Sequence, residues 1–201
     1  MTNNINNKLI EPLVFRKAQQ QDYSQIVIMQ NENLNTVLTA EEKASEGFLS
    51  HPFSAEDFQV MNKEIAVIVA SCGKEVVAYH RASSCQYHQS VPLFACMLER
   101  FAKVLYEGKP LVNYTCFMLG PMCIVKNYRG KEIYLKLWQE LTKHIPAGLE
   151  MGVAPASEAN PRALHAHTQK AGMLVVDRFS FNDQRYVTLA LSSDLLPRAA
   201  A

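Results

Sequence analysis

The stretch Gly120-Pro-Met-Cys-Ile-Val-Lys-Asn-Tyr-Arg-Gly-Lys-Glu-Ile133 runs from an apolar segment into a short turn, where Lys126, Arg129 and Lys131 surround Gly130. Tyr134, Leu135, Leu137 and Leu141 follow at helical spacing. This order predicts a strand, a basic turn and a helix N-terminus. The first turn of a helix presents unpaired backbone N–H groups and the positive end of the helix dipole, which together suit an anion. Gly130 has no Cβ and would let a phosphate come close to the backbone. An ordinary strand-to-helix loop with solvated basic residues has the same composition, and spacing alone leaves both readings open.

A second reactive cluster lies at Asn160-Pro-Arg-Ala-Leu-His-Ala-His-Thr-Gln-Lys-Ala-Gly-Met173. Asn160 is a preferred N-cap, Pro161 suits the first helical position, and Gly172 suits the C-terminal cap. His165 and His167 are two apart on this helix and point in different directions. They lack the i, i+4 spacing of a metal pair, and no metal is expected. The five cysteines, Cys72, Cys85, Cys96, Cys116 and Cys123, are odd in number and contain no CxxC. That argues against a disulfide framework or a zinc site, and favours reduced thiols packed as small core residues. No triad partner for a cysteine nucleophile is evident.

The elements that must hold these residues are readable from periodicity. Leu13 to Lys17 reads as a strand, and a helix runs from Asp22 to Leu34. Thr39-Ala-Glu-Glu42 is a capping box opening a helix that Gly47 ends. Ser54 to Phe58 opens another. Glu64 to Ser71 and Glu75 to Arg81 form a hairpin around Cys72-Gly73-Lys74. Val91 to Glu107 repeats its apolar residues as one helix. Tyr114 to Ile124 is a strand, Gly130 to Ile145 a helix, Leu149 to Val153 a strand and Pro161 to Ala171 a helix. Met173 to Phe181 and Arg185 to Leu191 close the chain as a hairpin around Asn182-Asp183. The order is mixed α/β, and it lacks the GxGxxG and the repeated crossovers of a doubly wound sheet. His80 and His88 are expected at the surface end of the first hairpin, and Tyr79, Tyr114 and Cys116 on central strands could face a substrate.

The 201 residues are 48% apolar and 19% charged, with a net charge of +1. That is ordinary globular composition, enough for one domain. It offers no global field for nucleic acid or an anionic membrane, so neither is expected as a partner. No apolar run reaches bilayer length, and the polar, Asn-rich start lacks a signal peptide, so a cytoplasmic location is expected. Residues 1–11 are expected to be disordered and 12–195 to form one domain.

Both clusters resemble a known family. Asn127-Tyr-Arg-Gly-Lys-Glu132 is similar to the Q/R-x-x-G-x-G/A coenzyme A motif of the GCN5-related N-acetyltransferase (GNAT) superfamily. Gly130 takes the central glycine, Asn127 replaces Gln or Arg, and Glu132 replaces the second small residue. Asn160, Ala163, Leu164, Lys170 and Gly172 resemble the family's N-x-x-(A/S)-L…K-x-G pattern. VVAY in the first hairpin and the closing hairpin also look like family strands. The resemblance covers most of Leu13 to Leu191.

What it implies is an α/β (α+β) fold: a mixed, mostly antiparallel sheet flanked by helices, with splayed central strands. An extra helix lies between the third and fourth strands. It implies acetyl-CoA as co-substrate. Met122, Cys123, Ile124 and Val125 would pair with pantetheine, Arg129, Gly130, Lys131, Glu132, Ile133 and Tyr134 would take the pyrophosphate, and Asn160 and Lys170 would complete the site. The acceptor is a small-molecule or peptide amine that attacks the thioester directly. Many members place a tyrosine general acid where this chain has Thr168. One extra residue between Leu164 and Gly172 would rotate His167 toward that position, so His167 is the candidate catalytic group. A catalytically silent acyl-CoA-binding protein on the same fold is the alternative, and a small ligand-binding module without CoA affinity is a third reading. Homodimerisation is left open.

Overall fold

The computed structural model describes residues 12–130 and 132–197. The expectation of disorder for residues 1–11 and the site expectation for Lys131 fall outside the described residues.

Seven strands form one sheet: β1 (Leu13–Lys17), β2 (Ala66–Cys72), β3 (Glu75–Ser84), β4 (Cys116–Ile124), β5 (Met151–Ser157), β6 (Leu174–Phe181) and β7 (Gln184–Ser192). Their order is β1-β2-β3-β4-β5-β7-β6. Every neighbouring pair is antiparallel except β4 with β5. Helices α1 (Tyr23–Glu32), α2 (Ala40–Glu46), α3 (Ala55–Glu64), α4 (Pro92–Leu98), α5 (Ile133–Thr142) and α6 (Pro161–His165) flank it. One core, with Ile26, Phe58, Tyr79 and Met97, lies under α1, α3 and α4. The other, with Ile133, Leu137, Trp138 and Leu141 of α5, covers the opposite face. This is the mixed, mostly antiparallel fold that the sequence implies.

Capping chemistry fixes the helix starts. Thr39 Oγ1 accepts from the Glu42 N–H at 3.2 Å, and Glu42 returns a carboxylate oxygen to the Thr39 N–H at 2.9 Å. Ser54 and Asp57 repeat the arrangement for α3. The closing hairpin turns through Asn182 and Asp183, whose φ of 48° and 58° give the twist that antiparallel strands need.

The parallel pair is short. β4 meets β5 only from Cys116 opposite Met151 to Met118 opposite Val153. Beyond that, β4 stays on β3, with Met122 opposite His80 and Ile124 opposite Ala78. Over the same stretch β5 stays on β7, with Ala154 opposite Leu189 and Ser157 opposite Tyr186. The two strands therefore splay into a V. At its closed end, Gly152 is required for space: an added Cβ would lie 2.4 Å from Leu119 Cδ1 and 3.1 Å from Phe117 Cζ. Gly152→Val should destabilise the protein by about 2 kcal/mol through overpacking. A lowered urea midpoint with an unchanged slope would report this, and an unchanged midpoint would mean that Leu119 can move aside.

Three expectations need correction. The long helix from Val91 to Glu107 is only seven residues, Pro92–Leu98. It then unwinds into turns, because Phe101 O and Val104 O accept from the returning Val112 and Leu111 N–H groups at 3.1 and 2.8 Å. Phe101 and Val104 stay buried, so the apolar period persists without the helix. His80 and His88 are fully buried, not at the surface. His80 lies with its ring centroid 4.6 Å from that of Trp138, and burial pushes its pKa down to about 3. Tyr79 packs against Phe58 in the core, Tyr114 bonds Tyr106 O, and Cys116 bonds Leu111 O, and none of the three lines the two cavities described below. None of the five cysteines is in a disulfide, and among the described residues no helix is long and apolar enough to cross a membrane.

Candidate active site

The V between β4 and β5 holds two cavities that share a wall. The larger measures about 730 Å³. Met122, Cys123 and Ile124 bring the unaccompanied edge of β4 to it, and Ile133, Tyr134 and Leu135 bring the start of α5. Arg129, Gly130 and Glu132 line it from the turn, and Asn160, His167 and Lys170 from across the V. The structure thus gathers residues from both sequence clusters around one space. Val125 is not among the lining residues. Its N–H donates to Val77 O at 2.9 Å and its carbonyl accepts from the Tyr128 N–H at 2.9 Å, so both backbone groups serve the fold.

The turn after β4 and the start of α5 both face the larger cavity. No side chain caps α5, so the N–H groups of its first turn are not taken by a neighbouring hydroxyl or carboxylate. Glu132 sits just before α5 with φ 60°. Its side chain is exposed. Arg162 and Lys170 add positive charge from the opposite wall. An extended thiol cofactor carrying phosphates fits this arrangement: an open strand edge for its arm, an uncapped helix start and basic side chains for its phosphates.

One carboxylate was not foreseen. Glu46, the last residue of α2, pairs with Lys126 Nζ at 2.8 Å and with the Arg129 guanidinium. Arg129 also donates from Nε to Ile124 O at 2.8 Å. The bond to Lys126 leads the causes that hold Glu46 below the usual carboxylate range, aided by the charges of Arg129 and Arg162. The last turn of α2 and the segment after it are tied across the V, since Arg162 donates to Ser45 O at 3.1 Å and Asn160 Nδ2 to Phe48 O at 2.8 Å. Glu46 therefore occupies the cations that phosphates would use. Glu46→Gln should tighten acetyl-CoA binding about threefold, in the range of exposed ion pairs. Calorimetry reads this directly, and weaker binding would mean that Glu46 holds the turn in its productive shape.

The smaller cavity, about 110 Å³, opens on the other side of His167. Phe48, Leu49, Met122, Asn160, Ala163 and His167 line both cavities. The backbone explains how His167 reaches this point. Asn160 caps α6, its Oδ1 accepting from the Ala163 N–H at 3.0 Å. After His165 the chain widens into a π turn over Ala166–Lys170, closed by the Ala171 N–H to Ala166 O at 3.2 Å. A π turn accommodates one extra residue in a helix, and such turns recur at functional sites. Its position between Leu164 and Gly172 matches the extra residue read from the sequence. His167 Nδ1 lies 3.3 Å from Tyr134 Oη. Burial pushes the His167 pKa down to about 4 and raises the Tyr134 pKa above its ordinary value. At neutral pH both are uncharged. With a proton on Nδ1 donated to Tyr134, Nε2 keeps its lone pair.

Sequence reasoning missed Glu46, His51 and Arg162. Glu46 and His51 lie more than a hundred residues before Asn160, and only the fold brings them to it. Arg162 was hidden as an ordinary helix residue beside the Asn160 cap.

Protein-family models and curated proteins yield no match to this sequence. Solved structures do. The chain is similar to an N-acetyltransferase from Staphylococcus aureus Mu50, at 14% identity and a TM-score of 0.59, over 91% of this chain and 99% of that one. It is similar to NAA60 from Arabidopsis thaliana in complex with a bisubstrate analogue, at 13% identity and a TM-score of 0.58, over 90% and 98%. A chain of the NatC complex bound to Gag peptide and CoA is similar at 12% identity and a TM-score of 0.58, over 90% and 98%.

Proposed function

We propose that this chain, which has the fold of the GNAT acetyltransferases, transfers an acetyl or related acyl group from acetyl-CoA to an amine of a small molecule or peptide. The observation that carries the reading is the meeting of two cavities at His167, one along an open strand edge and an uncapped helix, the other small and mostly apolar. In this reading the thiol arm lies along Met122, Cys123 and Ile124. The phosphates lie at Gly130, Ile133 and Tyr134, with Arg129, Lys131 and Lys170 supplying charge, Glu132 its backbone N–H, and Asn160 holding the far wall. That NatC was solved with CoA and NAA60 with a bisubstrate analogue supports the same use of the fold here.

Holding amine and thioester together across the shared wall supplies most of the rate through proximity. His167 moves the proton. Its neutral Nε2 takes the proton that the attacking nitrogen loses as the C–N bond forms. The C–S bond then breaks, and the imidazolium returns the proton to the leaving sulfur. The products are an amide and a thiol, with no metal and no covalent enzyme intermediate.

The test is release of CoA thiol from acetyl-CoA across a panel of amines, with a chelator present. Amine-dependent release is expected. Binding of acetyl-CoA with no release for any amine would instead support a silent acyl-CoA-binding protein on this fold.

A further inference from the structure

The smaller cavity has a chemical character that bears on which amines it accepts. Phe53, Leu93, Phe94 and Leu119 form its walls, with Ser50, His51 and Ser157 as polar groups. No Asp, Glu, Lys or Arg lines it among the described residues. The two imidazoles that face it, His51 and His167, are both shifted toward the neutral form by burial. His51 stands edge-on to Phe53 at 4.7 Å and to Phe94 at 6.1 Å.

Behind this wall lies a buried cation. Arg81 is 0% exposed, and its guanidinium carbon sits 4.6 Å from the centre of the Phe53 ring. On β3 it stands opposite Gly120 and Pro121, which line the cavity, because the register jumps from His80–Met122 to Ala82–Leu119. Nη1 lies 2.7 Å from Ser83 Oγ and 3.1 Å from His88 Nε2, whereas Nε and Nη2 have no hydrogen-bond partner among the described residues. Asp57, a carboxylate whose charge acts on Arg81, is engaged with Tyr87 and the α3 cap. After burial, Arg81 is the larger electrostatic influence on His51, and the opposing effect of Asp57 is smaller. At His51, therefore, the positive influence outweighs the negative one.

Amines carry positive charge in water. A cavity without a carboxylate cannot hold an ammonium at low cost, and a positive field adds to that cost. A single amine escapes most of the penalty by leaving its proton in bulk water and entering as the neutral base, which leaves the His167 imidazole free to act. A second cationic centre on the same molecule has nowhere to place its charge. An apolar body, in contrast, gains from the aromatic wall. At about 110 Å³ the cavity is smaller than the roughly 150 Å³ that binds benzene, so only a compact body fits and part of it would extend toward the larger space that shares its wall.

We propose that the smaller cavity is the acceptor site and that it selects monoamines with a compact apolar or aromatic body, excluding polyamines and lysine-rich peptides. This rests on the acyl-transfer reading, and the experiment separates the two. Calorimetry on the CoA complex would use 2-phenylethylamine and spermidine as probes. 2-Phenylethylamine should bind saturably and spermidine at least about thirtyfold more weakly. Introducing a carboxylate with His51→Glu, or with Ser50→Asp at the exposed rim should His51→Glu fold poorly, should shrink that ratio at least about tenfold in favour of spermidine. Spermidine binding as tightly as 2-phenylethylamine, neither amine binding, or a ratio unmoved by a folded carboxylate variant would overturn the acceptor class. Failure of CoA itself to bind would instead overturn the acyl-transfer reading.

Discussion

His167→Ala should lower turnover about a hundredfold while leaving acetyl-CoA affinity almost unchanged. General acid–base groups contribute about a hundredfold or more when they are positioned at the reacting atoms. His167 is positioned by three features: the Asn160 cap, the π turn that widens the helix after His165, and Tyr134 Oη 3.3 Å from Nδ1. The pH profile carries a second signature. Burial depresses the His167 pKa from its ordinary value of 6.5 to about 4. The neutral, proton-accepting form is then nearly complete at pH 7, and activity limited by this group falls only as the pH drops through about 4. A residue of merely structural importance would not place an acid limb there, and His167→Ala should remove it. Tyr134→Phe should lower turnover less, because it leaves Nε2 in place but unfixes the ring. Wild-type turnover in His167→Ala would leave proximity as the source of rate.

Gly130→Val should weaken acetyl-CoA binding at least about tenfold without unfolding the protein. Gly130 has φ 78°, a region that a β-branched residue enters only with strain. An added Cβ would meet no protein atom within 4 Å. The strain therefore falls on the turn, and the new side chain occupies the space next to it rather than the core. Strain at such a residue is of order 1–3 kcal/mol, enough to move the turn out of its phosphate-ready shape. Gly130→Asn, which tolerates positive φ, should cost less than Val. Equal affinity in all three proteins, measured by calorimetry beside a thermal unfolding curve, would place the phosphates elsewhere.

The sequence made the ends of elements legible where a single residue type does a local job. Thr39 with Glu42, Asn160 with Pro161, and Asn182-Asp183 each act within a few residues, and each stands where it was read. The basic turn before α5 was legible for the same reason. The stretch from Val91 to Glu107 misled because an apolar period reports which side chains are buried, not whether the backbone stays helical. Phe101 and Val104 are buried in turns as they would be in a helix. His80 misled because β3 is buried on both faces and has no polar side to betray its alternation, and His88 because it lies in a short turn after β3 that folds back into the core. Trp138 and Phe53, which enclose them, come from distant parts of the chain. Glu46 and His51 carry no local signal at all. Their place at the site depends on the segment after α2 crossing the V to Asn160, a contact more than a hundred residues long in sequence.

The central claim is that the V between β4 and β5 is an acyl-CoA site, and titration of acetyl-CoA into the protein by calorimetry tests it most directly. The account predicts a saturable one-to-one signal whose affinity falls as salt is raised, since phosphates meet Arg129, Lys170 and the start of α5. Absence of binding at millimolar acetyl-CoA would contradict it.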